Sequence, residues 1–266
     1  MADGAKTFQT TGAAYDGFMG RYSRVLAAPF ADAAGVTAGQ TAIDVGCGPG
    51  ALTAELVDRL GAAAVRAFDP SPAFVAECAA RNPGVDVRSG TAERMPCDDA
   101  SADVALAQLV MHFVGEPEAA MAEFRRVLRP GGTVAACVWD FAQGMEMLRL
   151  FWDAALAVDP DAPDEARTLR FGREGELTDL FTTAGLVDVA ETTLEVSSEY
   201  RDLEELWSGF EAGIGPAGAY LVRLPDTLRS AMREEFADRL RARVGGTDGP
   251  FALEGTARCA TGCTPG

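Results

Sequence analysis

Gly46-Cys47-Gly48-Pro49-Gly50 and Asp69 are the residues whose types and spacing could do chemistry together. Glycine tolerates φ > 0 and, lacking Cβ, lets the backbone approach a ligand closely. A carboxylate about 20 residues beyond such a loop, at the tip of the next strand, is placed to accept hydrogen bonds from ribose hydroxyls. The same residues also suit a plain strand-to-helix turn, with Asp69 capping a helix opened by Pro70-Ser71-Pro72. His112, the single histidine of the chain, is a further candidate. A base there could take a proton from a hydroxyl, an amine or an acidic carbon. Its apolar run, Leu109 to Phe113, equally suits a packed histidine.

The elements that must position these residues follow from hydrophobic pattern. Thr41 to Val45 is a short apolar, β-branched run, which predicts a buried parallel strand. The glycine loop comes next, and Ala51 to Val57 has helical spacing. Val65 to Asp69 is a second strand, Ala73 to Arg81 a helix, and Val85 to Gly90 a third strand. Val104 to Gln108 forms a fourth. Pro117 to Leu128 is an amphipathic helix stopped by Pro130-Gly131-Gly132, and Thr133 to Trp139 is a fifth strand. Strictly alternating strands and helices are the signature of a doubly wound parallel sheet.

The form of the loop separates two classes of nucleotide. Nicotinamide and flavin sites use G-x-G-x-x-G, with pyrophosphate on the helix N-terminus. Here the spacing is G-x-G-x-G, position 51 is Ala, and Pro49 has no N–H to offer a phosphate. A nucleoside ligand without pyrophosphate suits this loop better.

Four stretches then carry a specific resemblance: IDVGCGPG (43–50), AFDPSP (67–72), SGTAERMPCDDASADVALAQLVMHFV (89–114) and EFRRVLRPGG (123–132). With YDGFMGRYS (15–23) as lead-in, the chain resembles class I S-adenosylmethionine-dependent methyltransferases, in the group that includes the ubiquinone/menaquinone C-methyltransferases. The likeness covers the first half of the chain well. It implies S-adenosyl-L-methionine as cofactor, and a Rossmann-like, seven-stranded, mostly parallel sheet with an antiparallel last strand. It also implies site residues. Gly46, Cys47 and Gly48 would line the cofactor, with Asp69 and Pro70 beside the ribose. Ala92 and Glu93 would lie by the adenine edge, and Gln108 and Leu109 by the methionine end. Tyr15, Arg21 and Tyr22 of the lead-in would face the pocket, Arg21 pairing with the cofactor carboxylate or forming an ordinary surface ion pair. His112 would stand at the reacting end as general base. The family usually has an acidic residue where Thr91 stands, so the chain departs from the pattern there.

Composition bounds the rest. The 266 residues are 48% hydrophobic, ample for one core. Residues 1–40 are expected to be a helical lead-in, 41–140 the cofactor-binding core, and 141–266 a continuation with strands six and seven. A helical insertion at about 200–250 is the expected substrate lid, with Trp207, Phe210 and Tyr220, and Phe151 and Trp152 before it, as candidate walls or as glue between helices and sheet. The net charge of −17 disfavours nucleic acid and anionic lipid surfaces as partners. The expected partner is a small-molecule methyl acceptor, with the chain a monomer or homodimer. No apolar run approaches a membrane span, and the N-terminal stretch lacks the pattern of a signal peptide, so no membrane association and a cytoplasmic location are expected. Six cysteines without a C-x-x-C pair suit reduced structural thiols, and one histidine leaves a metal site short of ligands. A nicotinamide-dependent oxidoreductase and a non-catalytic cofactor-binding regulator are the alternatives. Lys6 being the only lysine, no Tyr-x-x-x-Lys pair supports the first.

Overall fold

The structure is a computed structural model and describes residues 16–246 and 249–266. Tyr15, expected near the cofactor, lies outside the described residues. A five-residue π-helical turn, Asp16–Gly20, leads into helix α1 (Arg21–Ala33). Strand β1 (Ala42–Val45) is buried along its whole length, as a central parallel strand must be. It runs through the glycine loop into α2 (Ala51–Leu60). Then follow β2 (Val65–Asp69), α3 (Pro72–Arg81), β3 (Asp86–Ser89) and β4 (Ala102–Gln108). A 3₁₀ turn, Met111–Phe113, precedes α4 (Pro117–Val127) and β5 (Leu128–Trp139).

The second half continues with α5 (Glu146–Val158), a four-residue α6 (Glu165–Thr168), α7 (Glu176–Thr183) and β6 (Val187–Tyr200). Three helices, α8 (Leu203–Glu211), α9 (Gly215–Leu221) and α10 (Asp226–Val244), separate β6 from β7 (Phe251–Cys263). Helix α6 is the element that the pattern hides. Asp164 looks like part of a breaker in sequence, yet its carboxylate accepts from Ala166 N–H at 3.0 Å and caps the turn.

The seven strands lie in the order β3-β2-β1-β4-β5-β7-β6. Strands β1 to β5 pair in parallel, and β7 inserts antiparallel between β5 and β6, with Cys137 opposite Cys259. The fold expected from the sequence is therefore the fold observed. One core, containing Leu52, Phe151, Phe210 and Phe236, lies on one face of the sheet; another, with Phe124 and Phe181, lies on the other.

The insertion aromatics take the packing role of the two that the sequence allowed. Phe210 stacks on Phe151 at 4.4 Å, Trp207 packs on Phe236, and Tyr220 leans on Trp152 while its hydroxyl donates to Asp159 at 2.8 Å. These rings bind helix to helix and line no part of the cavity below. Burying such large apolar surfaces against one another stabilises the fold more than exposing them to a cavity would. The insertion reaches the cavity instead through its Ile214–Ala217 corner.

Candidate active site

In an open α/β sheet, ligands bind beyond the carboxyl ends of the strands where the order reverses, here between β1 and β4. The three loop glycines do different work at that point. All have positive φ: Gly46 +73°, Gly48 +52°, Gly50 +96°. A Cβ on Gly46 would come within 2.5 Å of Val110, and one on Gly50 within 2.4 Å of Asn82. Gly48 has nothing within 4 Å of where its Cβ would stand, and it lines a cavity of about 840 Å³. Two glycines thus pack the loop down, and the middle one leaves space for a ligand.

The amide groups of the loop are already engaged. Gly46 and Cys47 N–H both donate to the Phe68 carbonyl (2.7 and 2.9 Å), and Gly50 N–H donates to the Cys47 carbonyl at 2.9 Å. Gly48 N–H donates to Asp69 Oδ2 at 2.9 Å. Pro49 has none to give. A phosphate would find no unengaged N–H between residues 46 and 50, so the loop does not cradle an anion as a dinucleotide loop does.

Asp69 lines the same cavity. Its other oxygen accepts from Ser71 N–H at 2.8 Å, so two backbone amides hold the carboxylate in one orientation. It is buried, and burial, the larger influence, holds its pKa above the ordinary carboxylate value against the two amides. A carboxylate offers about four acceptor sites, so the two amides leave room for ligand hydroxyls. The helix that follows is capped by Ser71, not Asp69: its Oγ accepts from Phe74 N–H. Beneath the loop, Thr53 donates to the buried Asp44 at 2.6 Å, tying the first turn of α2 to β1. Burial pushes the Asp44 carboxyl up to about 8.

Most sequence-selected residues converge on this cavity. Gly46, Gly48, Asp69 and Pro70 form one side. Ala92 and Glu93 form another, at the tip of a turn closed by Thr91 and Arg94, whose backbones exchange hydrogen bonds. Gln108 and Leu109 stand at the end of β4, where Gln108 Nε2 donates to the Ser23 carbonyl of α1 at 2.9 Å. Leu109 has φ +61°, a left-handed conformation uncommon outside glycine, and it swings Val110 under Gly46 and His112 toward the cavity.

His112 is 5% exposed, packed on Phe113 and Phe141, and its Nδ1 has no hydrogen-bond partner. Burial lowers its pKa to about 3, so the imidazole is neutral at ordinary pH.

Three selected residues lie elsewhere. Arg21 pairs with Glu205 at 2.8 Å and sits over the Tyr200 ring at 4.1 Å. Tyr22 is fully buried, its hydroxyl donating to the Leu253 carbonyl and accepting from Tyr200. Their face of α1 is clamped onto β6, β7 and α8, and the lead-in reaches the cavity through Phe18 and Met19 instead. Cys47 is buried against Ala67 and Cys78 below the loop.

The cavity also uses residues that the sequence reading passed over. Phe18, Trp139, Phe141, Leu148, Glu165 and Arg170 are all on its lining. Trp139 ends β5 as Gln108 ends β4, a position that could have marked it; Glu165 and Arg170 lie in a stretch without periodic signal. Among the described residues, no group of three or more His, Cys, Asp or Glu is arranged to hold a metal ion.

The strand order, the antiparallel β7 and the switch-point cavity define the Rossmann-like fold of class I methyltransferases, and comparison with known proteins agrees. Residues 43–136 match the family model described as a methyltransferase domain. Over 124 residues the chain is 34% identical to the phthiotriol/phenolphthiotriol dimycocerosates methyltransferase of Mycobacterium tuberculosis, covering 46% of this chain and 44% of that protein. Over 95 residues it is 38% identical to the malonyl-[acyl-carrier protein] O-methyltransferase of Hahella chejuensis, covering 35% and 34%. The matched stretch thus spans less than half the length of these curated relatives.

Among solved structures, a protein of Anabaena variabilis named as a methyltransferase of an antibiotic biosynthesis pathway superposes with a TM-score of 0.63 at 19% identity. That match covers 90% of this chain and 98% of the other. The phosphoethanolamine N-methyltransferase 2 of Haemonchus contortus, solved with S-adenosylhomocysteine, gives 0.54 at 13% identity, covering 90% and 52%. At these identities the likeness is one of fold. No helix among the described residues is long and apolar enough to cross a membrane.

Proposed function

We propose that this chain is an S-adenosylmethionine-dependent methyltransferase acting on a small, partly apolar acceptor. The observation that carries the reading is Gly48 facing Asp69 across a loop whose amides are engaged within the protein. That site suits a ribose and leaves a pyrophosphate no unengaged N–H within residues 46–50. The methyltransferase-domain match over 43–136 supports it independently. When bound, S-adenosylmethionine supplies a methyl group made electrophilic by the sulfonium. Asp69 accepts from the ribose hydroxyls, the Ala92-Glu93 turn borders the adenine, and Gln108 and Leu109 border the methionine end. The apolar chamber beyond them orients the acceptor and excludes water, which supplies much of the acceleration in such displacements.

Calorimetric titration with S-adenosylhomocysteine tests this. Micromolar binding, about −8 kcal/mol, is expected, with none for NADH. Binding of NADH in place of S-adenosylhomocysteine would overturn the reading in favour of an oxidoreductase.

His112 borders the acceptor as a neutral hydrogen-bonding group in this reading, not as a titrating base. A group that stays neutral down to about pH 3 is a weak proton acceptor. His112→Gln is expected to keep kcat within about tenfold and to leave the pH–rate profile between about pH 5 and 8 unchanged in shape. A loss of more than about 100-fold, with disappearance of an acidic limb, would restore it as the base.

A further inference from the structure

The cavity lining includes an apolar set, Phe18, Trp139, Phe141, Leu148, Ile214 and Ala217, all buried and all in one core cluster. Glu165, only 3% exposed, lines the same cavity. Its Oε2 accepts from Trp152 Nε1 at 2.8 Å, and among the described residues no cation pairs with it. Its neighbour Asp164 holds the nearby guanidinium of Arg149 in a two-pronged contact, 3.2 and 3.1 Å, so that charge is already matched. Arg170, the one Arg or Lys among the described lining residues, is exposed and donates to the Val114 carbonyl at 2.7 Å.

A buried, unpaired carboxylate is costly, and a glutamine would satisfy the Trp152 N–H without that cost. An acid retained in such a wall points to a ligand that completes it.

Resting on the methyltransferase reading, we infer that Glu165 anchors a protonated amine on the acceptor, whose apolar body packs against the chamber rings. Three features agree. Aromatic faces such as Trp139 and Phe141 attract ammonium groups as well as apolar bodies. The net charge of −17 draws cations toward the molecule and repels anions. Asp69, Glu93 and Glu116 add acidic groups to the same cavity. Glu165 therefore selects the acceptor class: amine over alcohol, and alcohol over carboxylate.

The anchor also gives binding a pH dependence. Burial, with a smaller contribution from Asp164, raises Glu165 to about 7; the Trp152 N–H and Arg149 oppose the rise. His112, which also lines the cavity, stays neutral. The anion accumulates as pH rises through about 7, while an alkylammonium stays protonated, as lysine does. Amine binding strengthens from pH 6 to 8.

The test is equilibrium binding of 2-phenylethylamine, 2-phenylethanol and 3-phenylpropionate to the full chain, with and without S-adenosylhomocysteine. Wild type is expected to bind the amine at least about tenfold tighter than the alcohol, and the carboxylate weakest. E165Q removes the preference and its pH dependence while affinity for S-adenosylhomocysteine is unchanged; E165D retains part of the preference. Equal binding, or no binding, of amine and alcohol by wild type overturns the inference, as does a preference that survives in E165Q. Should E165Q fail to fold, the wild-type pH series decides: binding that does not strengthen from pH 6 to 8 overturns it. Failure of S-adenosylhomocysteine to bind would sink the cofactor reading alone, because the amine comparison is also made without it.

Discussion

Asp69→Ala is expected to lower affinity for S-adenosylhomocysteine by more than about 100-fold, the largest effect on ligand binding that a single substitution here should produce. Hydrogen bonds to charged groups contribute about 1.5–3 kcal/mol each, and a ribose offers two hydroxyls to this carboxylate. The substitution also removes the acceptor shared by Gly48 and Ser71 N–H, leaving two donors near a buried surface. The loop and the start of α3 lose the group that joins them. Asp69→Asn refines the result: its single carbonyl oxygen satisfies one amide, while its NH₂ faces the other donor. Affinity should fall nearly as far as in the alanine variant, with a smaller drop in melting temperature. Calorimetry reads the affinity, and a wild-type-like value for Asp69→Ala would remove the ribose from this end of the cavity.

Gly50→Ala should strike stability instead. A left-handed backbone costs a residue with Cβ about 1–2 kcal/mol, and φ here is +96°. The added methyl would overlap Asn82 Nδ2 at 2.4 Å and touch Cys78 Sγ at 3.0 Å. Asn82 Nδ2 donates to the Cys78 carbonyl and cannot move without loosening α3. Overpacking of this kind costs about 1–3 kcal/mol. The sum, about 2–5 kcal/mol, corresponds to a fall in melting temperature of roughly 5–15 °C for a chain of this size. Gly48→Ala is the control. At φ +52° in open space it should cost about 1 kcal/mol of stability, yet its methyl enters the cavity and lowers ligand affinity. Thermal melts and titrations of the two variants should give opposite orderings. If both lost stability equally, the division of labour within the loop would be wrong.

Much of this was legible in the residues alone. Thr41 to Val45, the glycine loop and Ala51 to Val57 declare strand, turn and helix by local pattern. The distance from Gly46 to Asp69 is set by one helix and one strand of ordinary length. The resulting strand–loop–helix–strand unit brings Gly48 N–H within 2.9 Å of Asp69 Oδ2. Such features depend on neighbours in sequence, where periodicity and the conformational limits of Gly and Pro act directly.

The residues misplaced or missed depend on partners far along the chain. Arg21 meets Glu205, Tyr22 meets Leu253 and Tyr200, and no spacing within α1 could reveal those contacts. Hydrophobic pattern alone likewise could not tell Phe210, which glues helices, from Phe141, which walls the cavity. Apolar burial is non-directional, so it specifies that a ring is buried without specifying against what. Glu165 is the sharpest case. In sequence it is one acid among many in an acidic chain; in the fold it is 3% exposed, bonded to Trp152 of α5 and on the cavity lining. The sequence determined the glycine loop through local conformational rules. Tertiary packing decided the apolar part of the cavity lining, because it is assembled from elements that meet only when the sheet, α5 and the β6–β7 insertion have closed.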